Sequence, residues 1–276
     1  MYPTEFLKRH SLVIGILLMF LLTWPIDLAN SRLLPFQFPF VIYLFLGYGF
    51  IFASLIMTGL ALGKDAVITL LKRFLIWRVG WKWYLVALLL FPAVETVAVM
   101  LNAALTQTPA DFSRVVAYKV FGESANLALF IVPFFLIDAV SNGEEMGWRG
   151  YVLPRLQAKY SALASSLIVG LIWGFWHFPK FLAEGWDGSL LWYMVATMAK
   201  AVLFTWLYNN TKGSLLLVTF FHAASNLGIF LPIANTAEGQ SAYITAIILE
   251  VIAAVVVTVI AGPARLSRTE PKQIQE

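Results

Sequence analysis

Residues 242–261 read AYITAIILEVIAAVVVTVIA, with Glu250 as the one charged side chain. A helix needs about 20 predominantly apolar residues to cross the hydrocarbon of a bilayer, and this stretch has that length. Working outward, comparable runs lie at residues 11–28, 39–62, 83–105, 190–208 and 214–233. Two more, residues 127–140 and 162–176, are about 14 and 15 residues long and stop beside clustered polar residues. Continued through those residues to about Leu156 and Leu182, each becomes a full span. The expected architecture is all-α and polytopic, one transmembrane domain over residues 1–276 with about eight helices. A membrane barrel is excluded, because its strands would alternate with a period of two, which these runs lack.

Composition agrees. Of 276 residues, 60% are hydrophobic and 12% charged, about half the charged share of a soluble domain. The net charge is +4, but the basic residues sit between the apolar runs and form no continuous patch, so nucleic acid is not an expected partner. There is no cysteine, which removes disulfides, thiolate metal centres and a cysteine nucleophile. With the N-terminus inside, fourteen of the 19 basic residues fall on the cytoplasmic side, leaving Arg32, Arg114, Lys119 and Lys180 outside and Lys200 within a span. Positive charge marks cytoplasmic loops, so both termini are expected in the cytoplasm of a multi-pass cell-membrane protein. The first run follows Lys8 and Arg9 and has no cleavage site behind it, which reads as an uncleaved anchor. Lys72, Arg73, Trp77, Arg78, Trp81, Lys82 and Trp83 suit a segment lying along an anionic leaflet. Residues 263–276 read as a polar, disordered cytoplasmic tail.

An ionisable group at membrane depth costs on the order of 2.5 to 3.5 kcal/mol, so each needs a reason. Glu95, Lys200 and Glu250 read as isolated groups that snorkel or bond between helices. Asp138, two helical turns before Glu145, reads as a structural hydrogen-bonding group. The densest stretch is Asn142-Gly143-Glu144-Glu145-Met146-Gly147-Trp148-Arg149-Gly150. Asn142 and Glu145 have the spacing of a capping box, and Glu145 with Arg149 that of an i, i+4 ion pair. Glu144 is left over, without a partner and on another side of the helix. His177 closes an aromatic run, and His222 shares a helical face with Asn226. Each histidine alone is as readily packing as function. Together, a carboxylate, two imidazoles and an amide on three spans make a set that can hydrolyse an amide bond, with a base for water and donors for an oxyanion.

These residues resemble a family. Glu144-Glu145-x-x-x-Arg149, aromatic-x-x-x-His177 and His222-x-x-x-Asn226, in that order on successive spans, are similar to the three motifs of the CAAX protease and bacteriocin-processing intramembrane endopeptidases. The resemblance covers residues 138–231. Trp173 stands where the family pattern usually has phenylalanine, a swap that keeps an aromatic. The resemblance implies a buried catalytic cavity with Glu144 as base, His177 holding the water with it, His222 and Asn226 as the oxyanion site, and Glu145 and Arg149 as supporting or structural residues. The implied partners are a peptide or membrane-protein substrate and the lipid bilayer.

Whether Glu144, His177 and His222 hold a divalent metal such as zinc or act without one stays open. Asn226, a poor zinc ligand and a good oxyanion donor, favours the metal-free version, and no cofactor is certain. Two other functions fit parts of the pattern: a proton- or ion-coupled transporter using Glu95, Lys200 and Glu250, and a non-catalytic scaffold conferring bacteriocin immunity. At 1.5 Å per residue, His222 lies ~12 Å and His177 ~24 Å from the cytoplasmic ends of their runs. For the two to meet, the fifth span must start later than Ala162, or tilt and kink near Pro179.

Overall fold

A computed structural model describes residues 3–39, 41–42, 46–184, 189–233 and 240–268. Among them are five helices long and apolar enough to cross a membrane and three shorter apolar ones, Tyr48–Leu62, Ile131–Ser141 and Leu215–Phe230. No strand occurs among the described residues. In chain order the elements used below are α1 (Pro3–Asn30), α2 (Tyr48–Leu62), α3 (Lys64–Lys72), α4 (Trp81–Thr106) and α5 (Ile131–Ser141). A π-helical stretch, Met146–Val152, then leads into α6 (Leu153–Gln157). After it come α7 (Ala162–Trp176), α8 (Phe178–Glu184), α9 (Ser189–Asn210), α10 (Leu215–Ser225) and α11 (Gln240–Ala261). Lipid offers no hydrogen-bond partners, so apolar segments pair their backbone internally as helices.

The bundle is apolar outside and polar at selected points inside. Val259, Val140 and Leu21 are 78%, 71% and 68% exposed, whereas Glu95, Glu144, Glu145, Arg149, His222 and Glu250 are buried. Among the described residues the most extensive helix packing is that of α7 with α9. Gly170 and Gly174, one turn apart on α7, make it possible. A Cβ at Gly170 would lie 2.6 Å from the Met198 Cα, and one at Gly174 would lie 2.6 Å from Thr197 Oγ1. Small residues at such spacing bring backbones together where there is no hydrophobic force between helices in lipid.

Of three expectations, two change and one holds. The run at residues 127–140 does not continue as one helix to Leu156. It breaks at Asn142-Gly143 and restarts in π-helical form. Gly143 crosses the start of α2 so tightly that a Cβ there would collide with the Gly47 carbonyl and the Ile51 side chain. The fifth run does extend past Trp176, through a turn at His177 into α8. The stretch after Pro263 is docked as far as Ser267. The Pro263 and Ala264 carbonyls accept from the first-turn amides of Leu163 and Ala162 at 3.0 and 2.9 Å. Asn209 and Asn210 donate to the Arg265 and Leu266 carbonyls at 2.7 and 2.8 Å, and Leu266 is fully buried. The free amides of a helix start need acceptors, and the tail carbonyls supply them. Residues 269–276 of the expected tail lie outside the described residues. In the basic aromatic stretch, Trp77 and Trp81 are exposed, but Arg73 turns inward and its Nη1 donates to Tyr208 Oη at 2.6 Å.

Candidate functional site

The break at Asn142 sets the geometry. Its amide donates to the Asp138 carbonyl at 2.8 Å and closes α5. Its side-chain Oδ1 accepts from the Glu144 amide at 3.0 Å, capping the next turn. The expected capping box is therefore only half present, because Glu145 does not reach back. Its Oε1 instead accepts from Arg149 Nη1 at 2.9 Å and from His222 Nδ1 at 2.8 Å. Glu145 and Arg149 are both fully buried. The Arg149 guanidinium lies 4.2 Å from the Phe204 ring centre and 5.2 Å from that of Trp173, so its charge is spread over two aromatic faces as well as one carboxylate.

Glu144 is not the unpartnered carboxylate expected from the sequence. Its Oε2 accepts from Trp173 Nε1 at 2.8 Å and from Trp148 Nε1 at 3.3 Å. Its Oε1 takes no hydrogen bond from the described residues. Trp148 is one turn along from Glu144 and was legible as such. Trp173 comes from another span and was visible only as the odd aromatic in its motif.

Both histidines expose the same nitrogen. His177 Nδ1 lies 3.0 Å from the Trp173 carbonyl, which can only accept, so Nδ1 carries a proton. His222 Nδ1 faces the carboxylate paired to Arg149, which fixes it in the same way. In the neutral rings Nε2 is therefore the bare, accepting atom. Trp173 joins the two, its ring centre 6.2 Å from that of His177 and 5.6 Å from that of His222. The difference in depth does not separate them: α7 ends at Trp176 and the chain turns at His177. That turn is tied to α1 by Trp176 Nε1 to Thr23 Oγ1 at 2.7 Å and Trp24 Nε1 to the Trp176 carbonyl at 2.9 Å.

Asn226 caps α10 and opens the 3-10 turn Asn226–Phe230, and its amide still donates to the His222 carbonyl, so the one-turn spacing between the two is kept. Its Nδ2 donates to Asp138 Oδ2 at 3.1 Å, which uses one of its two N–H bonds. Asp138 thus belongs to this group, and only the fold reveals it. Tyr193, also unsuspected, sets its ring 5.1 Å from that of His177.

The donor types of Glu144, His177 and His222 suit zinc, with both Nδ1 atoms already engaged as metal-binding histidines require. The spacing does not: among the described residues no three His, Asp or Glu side chains converge closely enough to hold a metal ion. A second polar group lies apart. Lys200 Nζ is 3.5 Å from Glu250 Oε1, and Glu95 acts on the same ammonium. The Glu95 carboxylate packs on the 3-10 turn, where a Cβ on Gly228 would sit 3.0 Å from both of its oxygens. Lys200 and Glu250 thus bond between helices as expected, but they form a group and are not isolated.

The fold and these contacts define an all-helical, polytopic membrane protein whose interior gathers a carboxylate, two imidazoles and a carboxamide from four segments. Residues 124–228 match the family model described as type II CAAX prenyl endopeptidase Rce1-like. The chain is also 28% identical over 152 residues to a protein of Methanococcus maripaludis named CAAX prenyl protease 2, a match covering 51% of this chain and 54% of that protein. The chain thus aligns with about half the length of that relative. Both matches bear out the resemblance read from the three motifs.

Proposed function

We propose that this chain is an intramembrane endopeptidase that hydrolyses a peptide bond of a peptide or membrane-protein substrate with water activated by Glu144. The observation that carries the reading is the pair of oxygens on Glu144: one is held by two indoles, and the other takes no hydrogen bond from the described residues. Water accepted between Oε1 and the bare Nε2 of His177 loses a proton to Glu144 as its oxygen attacks the carbonyl carbon. The second N–H of Asn226 meets the developing oxyanion. His222 can join it only as imidazolium, with one N–H on Glu145 and the other on the oxyanion, so Glu145 and Arg149 govern the charge that His222 can carry. The proton then passes from Glu144 to the leaving nitrogen, the C–N bond breaks, and an acid and an amine are released. No step needs a metal in this scheme.

The name of the Methanococcus relative makes a farnesylated peptide ending in a CAAX sequence the first probe to try, beside its unprenylated counterpart. Protein reconstituted in nanodiscs is incubated with each in ¹⁸O-labelled water and the products are weighed by mass spectrometry. The expected product carries one labelled oxygen at a new C-terminus. If neither reporter yields a labelled product, the proposal fails for this substrate class.

A further inference from the structure

Trp173 meets four polar members of the site, Glu144, His177, His222 and Arg149. Its indole N–H reaches Glu144 at 2.8 Å, its carbonyl holds His177 at 3.0 Å, and its ring lies beside His222 and under the Arg149 guanidinium. A phenylalanine, the residue expected there from the family pattern, would keep the carbonyl and a ring but supply no N–H. The ring alone therefore does not explain a tryptophan at this position. Trp173 is 4% exposed and Glu144 is 9% exposed, so water has little access to replace a missing donor.

A carboxylate has about four acceptor positions on two equivalent oxygens, and a glutamate side chain turns about three bonds. In a buried site such freedom is a disadvantage for a base, because a near-attack geometry tolerates little displacement. Two indoles converging on Oε2 remove the equivalence. Trp148 cannot do this by itself: its 3.3 Å contact is longer, and it comes from the same short stretch of chain as Glu144. Trp173 comes from α7 and fixes the carboxylate against the span that also carries His177.

We infer that Trp173 is the positioning residue of the base: its indole N–H pins Glu144 Oε2, so that Oε1 is the single oxygen presented to water beside His177. The inference rests on the proteolytic reading above and adds a division of labour between the two oxygens. It also gives Trp148 a lesser role on the same oxygen.

The test is a substitution that changes the N–H and nothing else. Trp173 is replaced in the full-length protein by 3-benzothienylalanine, which has the shape of tryptophan with sulfur in place of N–H, and in parallel by phenylalanine (Trp173→Phe). Both are assayed in nanodiscs on the farnesylated CAAX reporter. Losing a hydrogen bond to a charged group should lower kcat by about 10- to 100-fold, while KM stays within about twofold because the substrate does not touch the N–H. The benzothienyl protein should melt close to wild type, whereas Trp173→Phe should also lose stability from the space it leaves. Trp148→Phe should lower kcat by only about threefold, in line with its longer bond. A benzothienyl protein with wild-type kcat would overturn the assignment, since packing alone would then explain the residue. A wild-type protein that fails to cleave the reporter would instead overturn the proteolytic reading, and with it the role of Trp173.

Discussion

Around Glu144 each polar side chain has one atom held by the protein and another left for chemistry. Oε2 of Glu144, Nδ1 of His177, Nδ1 of His222 and one N–H of Asn226 are engaged, and among the described residues their counterparts are not. Around Lys200 the arrangement is different. Lys200 faces Glu250 and Glu95, and the second oxygens of both carboxylates are buried without a hydrogen-bond partner among the described residues. The first group is half-satisfied in a directed way, by rigid donors on neighbouring segments. The second is held by charge and offers no oriented set of donors and acceptors. Burial and charge are common to both, so neither marks a reactive site. What separates them is whether the protein fixes one end of each group and leaves the other free.

The largest expected effect tests the scaffold of the first group. Arg149→Ala leaves Glu145 buried and short of its cation, which typically costs ~3 to 5 kcal/mol and should show as a large drop in melting temperature or loss of monodisperse protein. Adding Glu145→Gln should recover part of this, and only part, because His222 also depends on Glu145. A stable but inactive Arg149→Ala protein would place Arg149 in the chemistry.

Next in size is Asn226→Ala. It removes the proposed oxyanion donor and should lower kcat by about 10² to 10³ with little change in stability. An unchanged kcat would take Asn226 out of the site. Lys200→Met should behave in the opposite way, lowering stability by about 1 to 3 kcal/mol as two carboxylates lose their cation, yet leaving kcat of the folded protein near wild type. Proton flux in proteoliposomes that disappears with Lys200→Met would instead restore the transporter reading and dissolve the contrast. The smallest effect is expected for Asp138→Ala, which acts only through the orientation of Asn226. About a tenfold fall in kcat is expected, and Asn226→Ala should erase any further effect of it.

How much of this could be read beforehand depends on distance along the chain. The helices were legible because lipid leaves an apolar run of that length no other backbone solution. Glu145 with Arg149, and Asn142 as a cap, were legible because they lie within one turn. Trp148 on Glu144 has the same spacing and could have been found. Trp173 on Glu144, His222 on Glu145 and Asp138 on Asn226 span 29, 77 and 88 residues, and no local rule brings them together. The Asn142 cap marked a helix start there, but the close passage of α2 at Gly143 was not legible. The three motifs singled out the proposed site residues, and the fold supplied which atom of each is held by the described residues.

The most direct measurement of the central claim is hydrolysis by Glu144→Gln. The glutamine keeps the volume and a carbonyl for the two indoles, but cannot take a proton from water near neutral pH. The purified variant in nanodiscs should melt close to wild type and release labelled product from the farnesylated reporter at less than about 1% of the wild-type rate. A folded Glu144→Gln protein that still cleaves at more than about 5% of that rate would contradict the account, because the proton of the attacking water would then be taken elsewhere.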